Sequence, residues 1–102
     1  MKLSVCIPVY NEREIIADAV RTFTGALDII AKDDYELIIC NDGSVDETAD
    51  IARSMVADYP RLRVVGYPVN RGKGCAVRTA VMEAEGDIIL YTDCDNAYGT
   101  DK

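Results

Sequence analysis

The stretch Tyr35-Glu-Leu-Ile-Ile-Cys-Asn-Asp-Gly-Ser44 decides the fold. It begins as a nearly unbroken apolar run of strand length and ends in a polar, glycine-containing cluster with the composition of a sharp turn. A strand that is apolar on both faces belongs to a sheet covered on both sides. The same pattern recurs at residues 3–9, 63–67 and 87–92. Between the first two runs, Ile15, Ile16, Ala19, Val20, Phe23, Leu27 and Ile30 recur at helical spacing, with Asn11 as the expected N-cap and Glu14 three residues on. Ser44-Val-Asp-Glu47 reads as a capping box opening a second helix, which carries Ile51, Ala52, Met55 and Val56 on one stripe and stops at Pro60. A third helix is predicted over residues 73–85, with Ala76, Val77, Ala80, Val81 and Ala84 inward and Gly86 as its stop. Strand and helix thus alternate, and right-handed crossovers turn that order into an α/β, Rossmann-like, mostly parallel sheet flanked by helices.

The length of 102 residues supports one core, so residues 1–102 form one domain or part of one. A net charge of −7 argues against a surface that tracks nucleic-acid phosphates. The chain has no His, which removes serine–histidine and cysteine–histidine catalysis and any imidazole-bound zinc, so carboxylates must do the acid, base or metal work. Cys6, Cys40, Cys75 and Cys94 form no CxxC pair and read as reduced packing thiols. No stretch approaches the length of a membrane span and no signal peptide is recognisable, which places the chain in the cytoplasm as an expectation.

Ligands of such sheets bind at the carboxyl ends of the strands. Every polar cluster of the sequence falls there: Pro8-Val-Tyr-Asn-Glu12, Asn41-Asp-Gly-Ser44, Asn70-Arg-Gly-Lys-Gly74 and Asp93-Cys-Asp95. Asp93 and Asp95, one residue apart at a strand end, lean the same way in extended geometry and can share a hard cation such as Mg2+ or Mn2+. Asp42 precedes Gly43, so its carboxylate can turn into the crevice and accept a base N–H; an Asx-turn is the plainer alternative. Ser44 and Asp46 read as caps of the next helix. Glu12 is either a first-turn residue favoured by the helix dipole or an acceptor for base or ribose. Residues 70–74 open a helix and can bring Arg71 and Lys73 to phosphate, or form a tight turn with solvated basic side chains, with Arg78 one turn further in. They lack the P-loop spacing, and no GxGxxG follows the first strand.

Together, Val5-Cys-Ile-Pro-Val-Tyr-Asn-Glu12, Asn41-Asp-Gly-Ser-Val-Asp-Glu-Thr48, Asn70-Arg-Gly-Lys-Gly-Cys-Ala-Val-Arg78 and Thr92-Asp-Cys-Asp95 resemble the nucleotide-sugar-binding half of family 2 glycosyltransferases with the GT-A fold. The stretch 70–78 looks most like the polyprenyl-phosphate (dolichyl-phosphate) sugar transferases. The resemblance implies a donor such as UDP-glucose or GDP-mannose, a lipid-phosphate or hydroxyl acceptor, and inverting transfer assisted by Mg2+ or Mn2+. It implies that Pro8, Tyr10, Glu12 and Asp42 line the nucleoside pocket, with Asp42 facing the base, and that Arg71 and Lys73 lie near the nucleotide. Asp93 would approach ribose or metal, and Asp95, the second acid of the DxD motif, would be the direct metal ligand. Asn41 and Cys94 stand where the family usually has Asp and Ala.

Such enzymes are usually at least twice this long, and their acceptor site and general base lie in the half that would follow residue 102. The expectation is therefore an N-terminal donor-binding portion, inactive alone, whose parent works at the cytoplasmic face of a membrane and whose exposed sheet edge invites dimerisation. Two other readings compete. A non-catalytic nucleotide-binding or assembly module predicts no metal-dependent binding. A sugar-phosphate nucleotidyltransferase would place a basic, glycine-rich loop where this chain has the acidic residues 8–12.

Overall fold

The computed structural model describes residues 2–94. The chain runs β1 (Leu3–Val9), α1 (Ile16–Ile30), β2 (Tyr35–Asp42), α2 (Thr48–Met55), β3 (Leu62–Tyr67), α3 (Lys73–Glu83) and β4 (Ile88–Tyr91). The strands form a sheet in the order β3-β2-β1-β4, every neighbouring pair parallel, as the alternation of strand and helix predicts. β1 therefore lies between β2, reached through α1, and β4, reached through α3. That reversal opens a crevice at the carboxyl ends of β1 and β4.

Strand period 2 divides the core. Val5, Ile7 and Val9 of β1 and Leu37 and Ile39 of β2 pack under α1 and α2, against Ile16, Ala19, Val20, Leu27, Ala52 and Met55. Cys6, Ile38 and Cys40 face the other way, against Ala76 and Ala80 of α3. The alanines let α3 lie close on the sheet. Fully burying one isoleucine such as Ile7 or Ile38 contributes about 2 kcal/mol.

Several sequence expectations are corrected. Asn11 does not cap α1: it sits at φ +53, and its side-chain oxygen accepts the Val45 N–H at 2.9 Å. Its own N–H donates to Ser44 Oγ at 2.9 Å, so the two loops pin each other and Ser44 is not free to cap either. α2 starts at Thr48 with Glu47 at its N-cap position and no side-chain cap bond, so the Ser44–Glu47 capping box does not form; Asp46 Oδ1, one residue before the cap, accepts the Thr48 N–H at 2.9 Å. Ile30 and Val56, predicted to be inward, are exposed. All four residues of β4 are at least 41% exposed, because none of the described helices covers this edge strand.

α3 ends at Glu83, short of Glu85, for a reason visible in hydrogen bonds. Glu36, at the start of β2 and only 3% exposed, accepts the Glu85 N–H at 2.6 Å, the Ser4 hydroxyl at 2.6 Å and Arg63 Nη1 at 2.8 Å. Ser4 Oγ in turn accepts the Gly86 N–H at 2.8 Å. These bonds pull residues 85–86 off the helix and toward the start of β4. Burial pushes the Glu36 carboxyl up, but the bonds from Glu85, Ser4 and Arg63 outweigh it and hold the group below its ordinary value. Gly86 is needed for approach rather than as a helix stop: a Cβ there would lie 2.5 Å from Ser4 Oγ and 2.8 Å from Ser4 N.

Glu36→Gln, which places amide hydrogens against these donors and removes a counter-charge from Arg63, is expected to cost about 3 kcal/mol in urea unfolding at pH 7. Because the folded carboxyl titrates below the unfolded one, its stabilisation is present above the ordinary glutamate range and lost as pH falls through the folded value, so wild type and variant should converge in acid. An equal gap at pH 7 and pH 3 would contradict this. Gly86→Ala should cost about 2 kcal/mol by the same assay and loosen the α3–β4 connection to proteolysis; a neutral substitution would refute the close approach.

Candidate functional site

Three loops meet at the carboxyl ends of the strands. The β1 loop is fixed by the Asn11 exchange with Ser44 and Val45, and by the Glu12 N–H donating to Thr48 Oγ1 at 2.8 Å. Arg13 reaches both Glu47 oxygens at 3.1 Å on the outer side. Tyr10 remains 45% exposed, an aromatic face offered to solvent at the end of a buried strand.

The β2 loop is organised by Asn41 and Asp42. Asn41 Oδ1 accepts the Ser44 N–H at 3.2 Å, closing the turn as an aspartate would. Gly43 takes φ +66, and a Cβ there would lie 2.2 Å from Asn70 N, so the loop after β3 rests directly on it. Asp42 is 3% exposed, and its carboxylate is occupied from within. Tyr67 Oη donates to Oδ1 at 2.6 Å and the Arg71 N–H to the same oxygen at 2.8 Å. Asn70 Nδ2 donates to Oδ2 at 2.8 Å and the Gly72 N–H to it at 3.1 Å. The expectation that this side chain projects to a base N–H thus meets a carboxylate already bonded to its own chain. Burial, then the bond to Asp42, raises the Tyr67 hydroxyl far above its usual titration range, so it stays a donor. Cys40 beneath is pushed up to about 11, by burial first and the Asp42 charge second, and is a neutral packing thiol.

The third loop brings the start of α3 to the end of β4, where Lys73 Nζ forms an ion pair with Asp93. A cleft of about 380 Å³ lies between the loops, a volume within the range of ligand pockets. Of the residues singled out in the sequence, Pro8, Tyr10, Glu12, Asp42, Lys73 and Asp93 line it. Arg71 does not; its guanidinium stacks over the Tyr67 ring, 5.3 Å from the centroid. Val9, Asn70, Gly72 and Cys94 line the cleft without having been singled out. Asn70 and Gly72 lie within the quoted 70–74 cluster, and its polar composition was the available signal. Tyr67, which ties Asp42 to this loop, was missed because it looks like one more apolar strand residue.

Asp95 lies outside the described residues. Among the described residues there is no group of three or more His, Cys, Asp or Glu placed to hold a metal. Asp93 offers the oxygen donor a hard cation takes, at the cleft mouth and 44% exposed, and Lys73 is its partner as the structure stands. Nor is any helix among the described residues long and apolar enough to cross a membrane.

The sequence profile of "Glycosyl transferase family 2" matches residues 4–102. A dolichyl-phosphate beta-glucosyltransferase of Trichomonas vaginalis is 33% identical over 100 residues, covering 94% of this chain and 30% of that protein. S. aureus TarS in complex with UDP superposes with a TM-score of 0.79 at 28% identity, over 93% of this chain and 28% of that one. The mannosyltransferase PcManGT of Pyrobaculum calidifontis, in complex with GDP-Man and Mn2+, gives 0.75 at 28% identity, over 92% of this chain and 27% of that one. The chain thus spans about 30% of the length of the curated relative, and it shares its α/β fold with solved glycosyltransferases of the GT-A type. From residue 4 to residue 102 the chain belongs to glycosyl transferase family 2.

Proposed function

We propose that residues 1–102 recognise the nucleoside-diphosphate part of an activated sugar, and that the protein transfers the sugar to a polyprenyl phosphate or a hydroxyl. The observation that carries this is the cleft itself, which gathers Tyr10, Glu12, Lys73 and Asp93 at the switch point of a parallel sheet. Relatives named for dolichyl-phosphate glucosyl transfer, and structural neighbours holding UDP or GDP-Man, support the same reading.

In this reading Tyr10 gives the base a face to stack on, with Pro8 beside it, and Glu12 accepts from base or ribose. Lys73 and the first amides of α3 meet the diphosphate, Lys73 leaving Asp93 as it does so. Arg71 lies behind, held on Tyr67. Mg2+ or Mn2+, when bound through Asp95 and Asp93, would neutralise charge on the diphosphate as it departs. Transfer proceeds by direct displacement with inversion. The bond from the anomeric carbon to the diphosphate oxygen breaks, its electron pair leaving on the diphosphate, while the acceptor oxygen bonds to the opposite face. A hydroxyl acceptor must give its proton to a base; a lipid phosphate is already ionised at neutral pH. Such an acceptor places the reaction at a membrane surface, on the cytoplasmic side in this proposal.

Calorimetry of the chain with UDP, GDP and their glucose and mannose conjugates, with and without Mn2+, tests the reading. One nucleotide should bind, Mn2+ should tighten it, and Asp95→Ala should lower the metal-dependent affinity by tenfold or more, the usual order for losing a metal ligand's environment (~10–100-fold). A folded sample that binds no nucleotide would overturn it.

A further inference from the structure

We propose that Ser4 and Glu36 are positioning residues for the cleft at the opposite edge of the sheet: they clamp residues 85–86 and so set the register of β4 on β1, which decides that Asp93, and not Cys94, meets Lys73. The clamp stands on geometry alone, and its consequence for ligand binding rests on the donor-nucleotide reading.

A one-residue slip of a strand sends every side chain to the other face of the sheet, and burial of one face usually forbids it. β4 lacks that safeguard. It reads Ile-Ile-Leu-Tyr, apolar at every position, and its residues are 41% to 65% exposed, so they give no preference between the two registers. The residues that follow do depend on the choice. In the observed register Leu3 pairs with Ile88 and Cys6 with Tyr91. Beyond Tyr91, Asp93 lies on the α3 side, where it meets Lys73, while Cys94 lies on the side of α1 and α2, 1% exposed within their core. A slip would exchange the two, setting a thiol beside Lys73 and a carboxylate in an apolar core.

The register is held at the other end, roughly 20 Å from Asp93 along an extended chain. The Gly86 N–H donates to Ser4 Oγ at 2.8 Å, and Ser4 donates to Glu36 Oε2 at 2.6 Å, the same oxygen that takes the Glu85 N–H at 2.6 Å. Arg63 Nη1 holds the other carboxylate oxygen at 2.8 Å, and neither Ser4 nor Glu36 reaches solvent by more than 3%. A hydroxyl has one proton, and here it goes to Glu36, so Ser4 faces Gly86 as an acceptor. Sterics make the choice of residue strict. A Cβ at position 86 would lie 2.5 Å from Ser4 Oγ and 2.9 Å from the Lys2 oxygen, and a slip would bring Glu85 or Asp87, each with a side chain, to that place. Lys2 adds an independent hold: its oxygen accepts the Asp87 N–H at 2.8 Å and its own N–H donates to Asp87 Oδ2 at 3.0 Å.

Alkylation by iodoacetamide, mapped to each cysteine by mass spectrometry in the folded, nucleotide-free chain, reads the register, because Cys94 is buried beside β4 whereas Cys6 and Cys40 are buried beneath α3. Ser4→Ala should speed modification of Cys94 at least about tenfold more than that of Cys6 and Cys40. Lost stability alone opens the whole core and speeds all three by one factor; that result, or an unchanged Cys94 in folded Ser4→Ala, overturns the proposal. Gly86→Ala leaves Ser4 and Glu36 in place and forces the chain off them, so it serves if Ser4→Ala fails to fold and should show the same selectivity for Cys94. For the consequence at the cleft, UDP and GDP are titrated with and without Mn2+, beside uridine and guanosine. The tightening that Mn2+ gives the wild-type chain should fall severalfold in Ser4→Ala while nucleoside affinity holds; an equal loss for nucleoside and diphosphate overturns the positioning role. Wild-type chain that binds no nucleotide would sink the donor reading, and the thiol rates would still decide whether Ser4 sets the register.

Discussion

A carboxylate buried in a sheet must be given donors, and β2 carries two. Glu36 at its start and Asp42 at its end lie on the same face as Ile38 and Cys40, the face covered by α3. Neither is solvated, so each takes its hydrogen bonds from the chain, and the donors both find are the backbone amides flanking α3. Asp42 holds the entry at Arg71 and Gly72; Glu36 holds the exit at Glu85, with Ser4 passing the bond on to Gly86. The helix is tied at both ends to the strand it crosses. This helix carries the chain over to β4 and so creates the reversal of strand order at which the cleft opens. Removing either carboxylate would loosen the geometry on which that cleft depends.

The remaining interactions give the two edges of the sheet different characters. At the amino edge, Glu36 is shared with Arg63, which continues to Glu83, and the bonds serve only to close the fold. At the carboxyl edge, the loops are locked to one another through Asn11, Ser44, Val45 and Thr48, but the surface they leave is open and carries unlike groups side by side. An exposed aromatic ring, carboxylates and a lysine around one cleft suit a ligand that combines a flat base, a sugar and anionic phosphate. The ion pair of Lys73 with Asp93 compensates two of these charges.

Much of this was legible in the sequence. The α/β order, the parallel sheet and the edge on which Pro8, Tyr10, Glu12, Lys73 and Asp93 gather follow from local apolar periodicity and from the polar clusters that end each strand. What stayed illegible depends on partners distant in the chain. Glu36 inside an apolar run gives no sign that Ser4, Arg63 and Glu85 converge on it, and Tyr67 reads as a packing residue until β3 is placed beside β2. Asn11 has the composition of a cap, and only contact with the next loop draws it into a left-handed conformation. The exposure of β4 is likewise a matter of which neighbours are present, not of its own apolar residues.

The central claim is that ligand recognition belongs to the carboxyl edge of this sheet. Amide chemical-shift mapping of the isotopically labelled chain, titrated with a nucleoside diphosphate and Mg2+, addresses it most directly. The account predicts shifts concentrated at Tyr10, Glu12, residues 70–74 and residues 92–94, with the amino edge around residues 32–35 and 85–87 unchanged. Shifts centred on the amino edge, or spread without pattern over both, would contradict it.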